Sequence, residues 1–169
     1  MALSYYLDKG GLIMYILVFL SIIGISIIIW KLFIFRAAFK NIEDISKKIA
    51  DKLQLKNNET IEEVSLYVLK LEKGMETVKT IATIAPLLGL LGTVIGILDS
   101  FEKIASKGMS TSFFASGISL ALITTIGGLV VAIPNTIGYN YLIKYLDAFE
   151  IKLNKEIKEN LKDEKQTKS

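Results

Sequence analysis

Residues 83–101 read TIAPLLGLLGTVIGILDSF. The stretch is apolar enough to form a membrane-spanning helix, yet it contains Pro86 and three glycines, Gly89, Gly92 and Gly96. Proline and glycine weaken a helix in water, but a membrane helix tolerates them where another helix packs against it. These residues therefore predict that the span is in close contact with a neighbouring helix.

Two further segments are as apolar as this one. Of the 169 residues 51% are hydrophobic, and the uncharged stretches are 10–30, 80–98 and 108–143. Each has the roughly 20 residues that cross a hydrocarbon core about 30 Å thick. The sequence therefore predicts an all-α integral membrane protein with three transmembrane helices and long cytoplasmic helical extensions.

The predicted organisation is a single domain over residues 1–169. Its predicted spans and cytoplasmic helical parts have the following bounds: spans at about 10–34, 79–101 and 112–140, and helical parts at about 36–55, 60–78 and 141–162. The polar residues 56–59 are predicted to form a turn. Thr60 and Glu63 match a capping box at the start of the next helix.

Apolar residues at helical spacing extend the spans beyond the membrane. One stripe runs from Ile61 to Val78 and into the second span, which predicts an unbroken helix from Thr60 to Phe101, about 63 Å long at 1.5 Å per residue. The other stripes are Ile42, Ile45 and Ile49 after the first span, and Leu142, Leu146, Phe149, Leu153 and Ile157 after the third.

The distribution of basic residues predicts the orientation. Lys9 precedes the first span and Lys103 and Lys107 lie between the second and third, whereas the other seventeen of the 20 lysines and arginines flank the opposite ends. The positive-inside rule then places the N-terminus in the periplasm and the C-terminus in the cytoplasm. The first span lacks a basic run before it and a small-residue cleavage site after it, so we expect it to be retained.

The composition excludes several kinds of chemistry. The chain has no cysteine and no histidine, so thiolate nucleophiles, imidazole bases and common zinc sites cannot form. Its 17 acidic residues alternate with the 20 basic ones instead of leaving the basic stripe typical of nucleic-acid binding. We expect no enzyme activity, no cofactor, no metal and no nucleic-acid partner.

Small residues form one row on each of two spans. The rows are Ala82, Ala85, Gly89, Gly92 and Gly96 on the second span, and Ala121, Thr125, Gly128 and Ala132 on the third. Lipid offers no hydrophobic reason for helices to associate, so such rows indicate close packing. The residues predicted to pack are Gly89, Gly92, Gly96, Ala121, Gly128 and Ala132. The partner is either the other row or a second protein.

Two threonines fall near the middle of these spans. Thr93 and Thr125 could simply bond carbonyls of their own helices, as buried threonines commonly do. However, Pro86 and Pro134 each leave a carbonyl four residues earlier without its amide donor. Hydroxyls and free carbonyls together could line a polar path. A hydroxyl relays a proton but does not store one, so a proton carrier would have to come from another chain.

Two long motifs resemble those of the MotA/TolQ/ExbB proton-channel family, in its three-span ExbB/TolQ branch. They are APLLGLLGTVIGILDSF at 85–101 and GISLALITTIGGLVVAIPNTIGYN at 117–140. The resemblance implies an inner-membrane homopentamer around the single-span helix of an ExbD- or TolR-like partner, which supplies the pore aspartate. It also implies coupling of proton flow to outer-membrane transport or envelope maintenance, and a possible TonB- or TolA-like partner. Membrane lipids surround such a protein.

The resemblance assigns roles to individual positions. Thr93 and Thr125 match the pore-facing threonines of the family, and Pro86 and Pro134 match its helix-bending prolines. Leu120 departs from the pattern, because many members of the branch have a glutamate there. Flagellar-stator relatives also lack that glutamate, so conduction does not depend on it alone.

Two alternatives to a proton channel remain open. One is a non-conducting membrane scaffold of the same fold, which the loss of the glutamate favours and the two threonines oppose. The other is a flagellar-type stator subunit, for which the chain is short and has three spans where four are expected.

Overall fold

The computed structural model describes five helices. It covers residues 2–56, 60–108 and 110–167, with side chains described for 10–51, 63–108, 110–112 and 114–161. The helices are α1 (Ala2–Lys40), α2 (Ile42–Lys56), α3 (Thr60–Glu72), α4 (Met75–Lys107) and α5 (Thr111–Thr167). Three of them are long and apolar enough to cross a membrane, which confirms the predicted fold class. The predicted turn at 56–59 begins at Lys56, which the structure places at the end of α2; residues 57–59 and the Thr60 side chain lie outside the described residues.

Glycines mark the irregular points of the backbone. Gly11 interrupts α1 with φ 59° and ψ −154°, a conformation that only glycine adopts readily. Gly108, at φ 85°, follows α4 and begins the connection to α5. Helix α4 therefore runs six residues past the predicted span end at 101, and α5 reaches Thr167 where the prediction ended at about 162.

The unbroken helix predicted from Thr60 to Phe101 is wrong. Helix α3 ends at Glu72, and α4 begins at Met75 after a turn in which Gly74 has φ 92°. A left-handed glycine at this position is the usual way in which an α-helix ends. The Lys31 ammonium, on a side chain only 3% exposed, donates a hydrogen bond of 2.7 Å to the Leu71 carbonyl in the last turn of α3.

The described chain separates into two compact units, and the divisions fall inside helices. Unit 1 comprises Met1–Ile27 and Thr77–Gly138, and unit 2 comprises Ile28–Glu76 and Tyr139–Ser169. Unit 1 thus contains most of the apolar spans, and unit 2 contains the more charged helical parts. The prediction of a single domain stays a prediction.

Unit 2 has a core of large side chains. Its buried members are Phe35, Ala38, Ile42, Ile49, Val64, Leu71, Met75, Leu142, Leu146, Phe149, Leu153 and Ile157. All five residues of the predicted α5 stripe are among them. Phe39 packs edge-on against Phe149 with 5.3 Å between ring centroids, and Tyr67 stacks on the same ring at 6.0 Å. Unit 2 is therefore held together as a soluble helical bundle is.

Unit 1 has a smaller core. Its buried cluster consists of Leu17, Ile81, Ala85, Val131 and Ala132. Many of its large apolar side chains point outward instead, such as Leu87 and Leu90 of α4, which are 60% and 58% exposed. Outward leucines are what a lipid or protein environment requires of a membrane segment.

Candidate functional site

The backbones of α4 and α5 approach each other at their glycines. A Cβ added at Gly128 of α5 would lie 2.6 Å from the Ala85 carbonyl oxygen and 3.1 Å from the Gly89 Cα. One added at Gly89 would lie 2.9 Å from the Thr124 carbonyl oxygen. The structure thus brings the small-residue rows of the second and third spans against each other within one chain.

The same contact continues along both helices. A Cβ at Gly96 would lie 3.0 Å from the Gly117 carbonyl oxygen and 3.2 Å from the Ala121 amide nitrogen. Gly92 faces the side chain of Thr124, whose Cβ would be 2.5 Å away from an added Cβ. Ala132 is buried elsewhere, in the cluster that contains Leu17 of α1.

Two residues of α5 at this contact were missed in the sequence. Gly117 and Thr124 face α4, and with Ala121 and Gly128 they form a row at steps of four, three and four. That spacing is the same as in the predicted row, which used Thr125 in place of Thr124. Adjacent threonines in ALITT gave two equally regular rows, and periodicity alone could not separate them.

The two threonines differ in what their hydroxyls contact. Thr124 is 1% exposed and donates to carbonyls of its own helix, at 2.9 Å to Ala121 and 3.2 Å to Leu120. Thr125 is half-buried and donates across the helix pair to the Gly89 carbonyl of α4, in a long hydrogen bond of 3.5 Å. Of these two hydroxyls, only that of Thr125 therefore joins the two helices.

Thr93 lies on α4, close to the Gly89 carbonyl that the Thr125 hydroxyl contacts. It is half-buried, and its hydroxyl donates to the Leu90 carbonyl one turn earlier. The hydroxyls of Thr93 and Thr125 thus contact carbonyls of consecutive residues, Gly89 and Leu90. The structure thus brings together Thr93 and Thr125, which the sequence predicted as a pair and which are 32 residues apart.

The predicted helix-bending prolines both lie inside helices. Pro86 is half-buried in α4 and Pro134 is exposed on α5, and each helix continues through its proline. A proline has no amide hydrogen, so the carbonyls of Ala82 and Val130 each lack the usual donor. The Ala82 carbonyl precedes the Gly89 carbonyl by about two helical turns, so it lies about 10 Å along α4 from the threonine pair.

Leu120 packs at the α4–α5 contact. Its Cδ2 would lie 3.4 Å from a Cβ added at Gly96, and the side chain is half-buried. An apolar side chain at this place fills space and cannot carry a proton. Along α4, the first ionisable residue after Gly96 is Asp99. It forms an ion pair of 2.6 Å with Lys103 at the end of the span.

The described residues contain no cluster that would bind a metal. No group of three or more acidic, histidine or cysteine side chains occurs among them. The apolar stretch 80–98 of α4 has only hydroxyls as side-chain polar groups, and the stretch 108–143 of α5 adds only amide groups to these. The polar chemistry at the α4–α5 contact is therefore that of hydroxyls and backbone carbonyls.

One polar side chain of unit 1 is buried with an acceptor unused. Asn135 is 0% exposed, its amide nitrogen donates to the Val131 carbonyl at 2.7 Å, and its Oδ1 has no hydrogen-bond partner among the described residues. A Cβ at Gly24 of α1 would overlap this amide, with Cγ 2.8 Å away. The α1–α5 contact thus joins a glycine to an asparagine, and the sequence pattern did not reveal it.

These features define a multi-pass membrane protein with a close, glycine-lined contact between two of its spans and hydroxyls along that contact. The sequence profile of the MotA/TolQ/ExbB proton channel family matches residues 32–155. Because this match covers well over half of the chain, the chain belongs to that family.

A shorter similarity links the chain to one curated relative. It is 49% identical over 53 residues to the biopolymer transport protein ExbB of Aquifex aeolicus (strain VF5). The matched stretch covers 31% of this chain and 36% of the length of that relative. The similarity supports the family assignment, and it concerns about a third of either chain.

Proposed function

We propose that this chain is the proton-channel subunit of an energy-transducing motor in the bacterial inner membrane, of the ExbB/TolQ type. In this proposal the chain acts as a homopentamer around the single span of an ExbD- or TolR-like protein. A TonB- or TolA-like protein would pass the resulting force to outer-membrane transport or envelope maintenance. The chain would be a transport subunit and not an enzyme. Membership of the proton channel family supports the proposal.

The observation that carries the proposal is the convergence of two hydroxyls on α4. Thr93 and Thr125 contact the carbonyls of consecutive residues, and both side chains are half-buried. A buried structural threonine such as Thr124 turns to its own helix, as most membrane threonines do. The long 3.5 Å bond of Thr125 is weak, so its hydroxyl can turn to a better acceptor at little cost.

A carboxyl group from the partner would be such an acceptor. In the mechanism that we propose, the partner's aspartate takes up a proton from one side of the membrane and releases it to the other. A membrane potential supplies about 2.3 kcal/mol per charge per 100 mV for this transfer. The two hydroxyls would hydrogen-bond the carboxylate or a water beside it, which lowers the cost of a charge in a poorly polar site.

The proposed orientation places the N-terminus and the α4–α5 connection in the periplasm. Helices α2 and α3 and the C-terminal part of α5 would then lie in the cytoplasm. The asymmetry of lysine and arginine along the chain supports this orientation. Cysteines introduced at Ser110 and at Lys152, one at a time, should react with a membrane-impermeant reagent from opposite sides.

The test compares two adjacent threonines. Thr125→Val keeps the shape of the side chain and removes the hydroxyl that reaches α4, so we expect proton flux through the complex with its partner to fall at least 10-fold while the complex still assembles. Thr93→Val should act in the same direction, and Thr125→Ser should retain part of the flux. Flux is measured in proteoliposomes with a pH-sensitive dye.

Thr124→Val is the matched control. It removes a hydroxyl that bonds only its own helix, so flux should stay within about 2-fold of the wild-type protein. Leu120→Ala should also be mild, because that side chain only packs. A Thr125→Val variant with full flux would contradict the hydroxyl relay, whereas a wild-type complex without flux would favour the non-conducting scaffold.

The partner's role is tested by leaving the partner out. If the carboxyl comes from the second protein, the pentamer alone should conduct few protons. Large flux from the pentamer alone would contradict this assignment. The neighbouring gene also distinguishes the alternatives. A gene for the partner protein of a flagellar stator would favour the stator alternative. A gene for a small protein with one aspartate-bearing span would favour our proposal.

A further inference from the structure

A pocket of about 500 Å³ lies in unit 2 between α1 and α5. Two cations and three aromatic side chains line most of it. They are Arg36 and Phe39 of α1, and Tyr141, Lys144 and Tyr145 of α5. Of the residues that the structure describes, no acidic one lines the pocket. The volume lies within the range of pockets that bind small ligands.

The polar groups that line this pocket have no partner in the part of the chain that the structure describes. Within it, no hydrogen bond or ion pair involves Arg36, Lys144, Tyr141 or Tyr145. Both cations are exposed. Four groups that can donate hydrogen bonds thus line one space, and none of them is a carboxylate. A ligand with several acceptor oxygens and a negative charge matches this arrangement.

The position of the pocket in the chain indicates where that ligand comes from. Lys144 is the first charged residue after the uncharged stretch 108–143, and Arg36 follows the uncharged stretch 10–30 by six residues. Tryptophan and tyrosine near both stretches are typical of the level of the lipid headgroups. Trp30, 60% exposed, marks that level on α1. The pocket therefore lies where a span gives way to the membrane surface.

The aromatic wall adds an apolar side. The Phe39 and Tyr145 rings meet edge-on at 5.7 Å, and the Tyr141 and Tyr145 rings are 5.2 Å apart. A small soluble anion would gain nothing from these rings. A phospholipid carries a phosphate next to a glycerol and acyl chains, which can contact both parts of the pocket. Basic pockets between helices at the membrane surface bind such headgroups.

We propose that this pocket binds the headgroup of an anionic phospholipid, with Arg36 and Lys144 as the phosphate-binding residues. The Tyr141 and Tyr145 side chains line the site and offer hydroxyl donors to the glycerol-phosphate oxygens. The proposal depends only on the chain's being embedded in a membrane. It is independent of proton conduction and of the partner protein.

The experiment uses Trp30, the one tryptophan of the chain, as a probe. The full-length protein is reconstituted into phosphatidylcholine bilayers with increasing phosphatidylglycerol, one of the two lipids being brominated on its acyl chains so that it quenches tryptophan. We expect brominated phosphatidylglycerol to quench Trp30 more than brominated phosphatidylcholine does at equal mole fraction. The ratio of the two gives the relative affinity.

The variant Arg36→Gln/Lys144→Gln should lose that preference. One basic residue near an anionic lipid contributes about 1 kcal/mol, which is about 5-fold in affinity, so removing two should lower the preference by about 25-fold. Lys40→Gln/Lys152→Gln is the matched control. It removes one exposed cation from each of the same two helices outside the pocket, and should lower the preference less than 3-fold.

Three results would overturn the proposal. They are equal quenching by the two lipids, equal losses in the two double variants, and displacement of phosphatidylglycerol by inorganic phosphate. The last result would show a soluble anion as the ligand. Native mass spectrometry, counting phosphatidylglycerol molecules retained per chain by the wild type and both variants, gives a second reading that does not depend on Trp30.

Discussion

The two units of this protein bury different kinds of residue. In unit 2 the core contains Phe35 and Phe149, both fully buried, together with ten other apolar side chains. In unit 1 the backbones of α4 and α5 approach closely at Gly89, Gly117 and Gly128. One unit therefore brings side chains together, and the other brings backbones together.

The difference matches the proposed topology, in which most of unit 2 lies in water and most of unit 1 in lipid. In water, removing apolar surface from solvent stabilises a fold by about 25 cal/mol per Å², so large side chains contribute most. In a membrane the lipid is as apolar as leucine, and helices associate through van der Waals contacts that need close approach. Glycine and alanine allow that approach. The composition of each core thus reports its surroundings.

The largest effect should come from shrinking the core of unit 2. Phe149→Ala removes a fully buried ring that contacts Phe39 and Tyr67. We expect a loss of about 3–5 kcal/mol in the free energy of unfolding of this unit, because both the transfer energy and the filled volume are lost. Hydrogen exchange of the α5 amides between residues 142 and 157 measures the loss.

The control lies two residues further along α5. Ile151 is 72% exposed, so Ile151→Ala should change the same exchange rates by less than about 0.5 kcal/mol. Similar losses in the two variants would show that the exposed face of α5 is buried in the assembled protein. The core of unit 2 would then include residues that are exposed in the single chain.

Unit 1 should be destabilised by enlarging a residue, whereas unit 2 should be destabilised by shrinking one. Gly128→Ala places a methyl 2.6 Å from the Ala85 carbonyl oxygen, and backbone cannot turn aside. We expect a loss of about 1–3 kcal/mol in stability and a weaker α4–α5 contact. Titration with SDS, followed by circular dichroism, measures the stability of the protein in micelles.

Gly127 provides a matched control for this variant. A methyl at Gly127 meets the Met14 sulfur at 2.8 Å, and the end of a methionine side chain can move. Gly127→Ala should therefore cost clearly less than Gly128→Ala, although the two glycines are adjacent in the same helix. Helix propensity favours alanine over glycine at both positions, so it cannot cause a loss. Equal losses would mean that the approach of the Ala85 backbone does not decide the outcome.

The smallest effect is expected at the α1–α5 contact of unit 1. Gly24→Ala should be destabilising because the new methyl overlaps the Asn135 amide, and Asn135→Ala should relieve that overlap. We expect a favourable coupling of about 1 kcal/mol between the two substitutions. A double-mutant cycle under the same SDS titration measures it. Additive losses would show that the helices move apart instead of repacking.

The parts of the fold that repeat regularly could be predicted from the sequence. The uncharged stretches gave the number of spans, and the α5 stripe from Leu142 to Ile157 gave five residues that are buried in unit 2. Both patterns arise from burial that recurs each turn or two. Periodicity detects this kind of burial well.

Features that depend on one residue were not predictable in this way. The break at Gly74 interrupts the backbone while the apolar stripe continues through Leu71 and Met75, so the pattern showed no sign of it. The neighbours Thr124 and Thr125 fit the same spacing, and only the contacts with Gly92 and Gly89 distinguish them. Such details depend on tertiary contacts between distant parts of the chain.

The buried ammonium of Lys31 has a consequence for the order in which the chain folds. Its acceptor, the Leu71 carbonyl, lies 40 residues later in the sequence. An ammonium without a partner is costly to bury, so water must solvate Lys31 until the last turn of α3 has formed. The burial of this part of α1 thus depends on the folding of a helix that is synthesised after it.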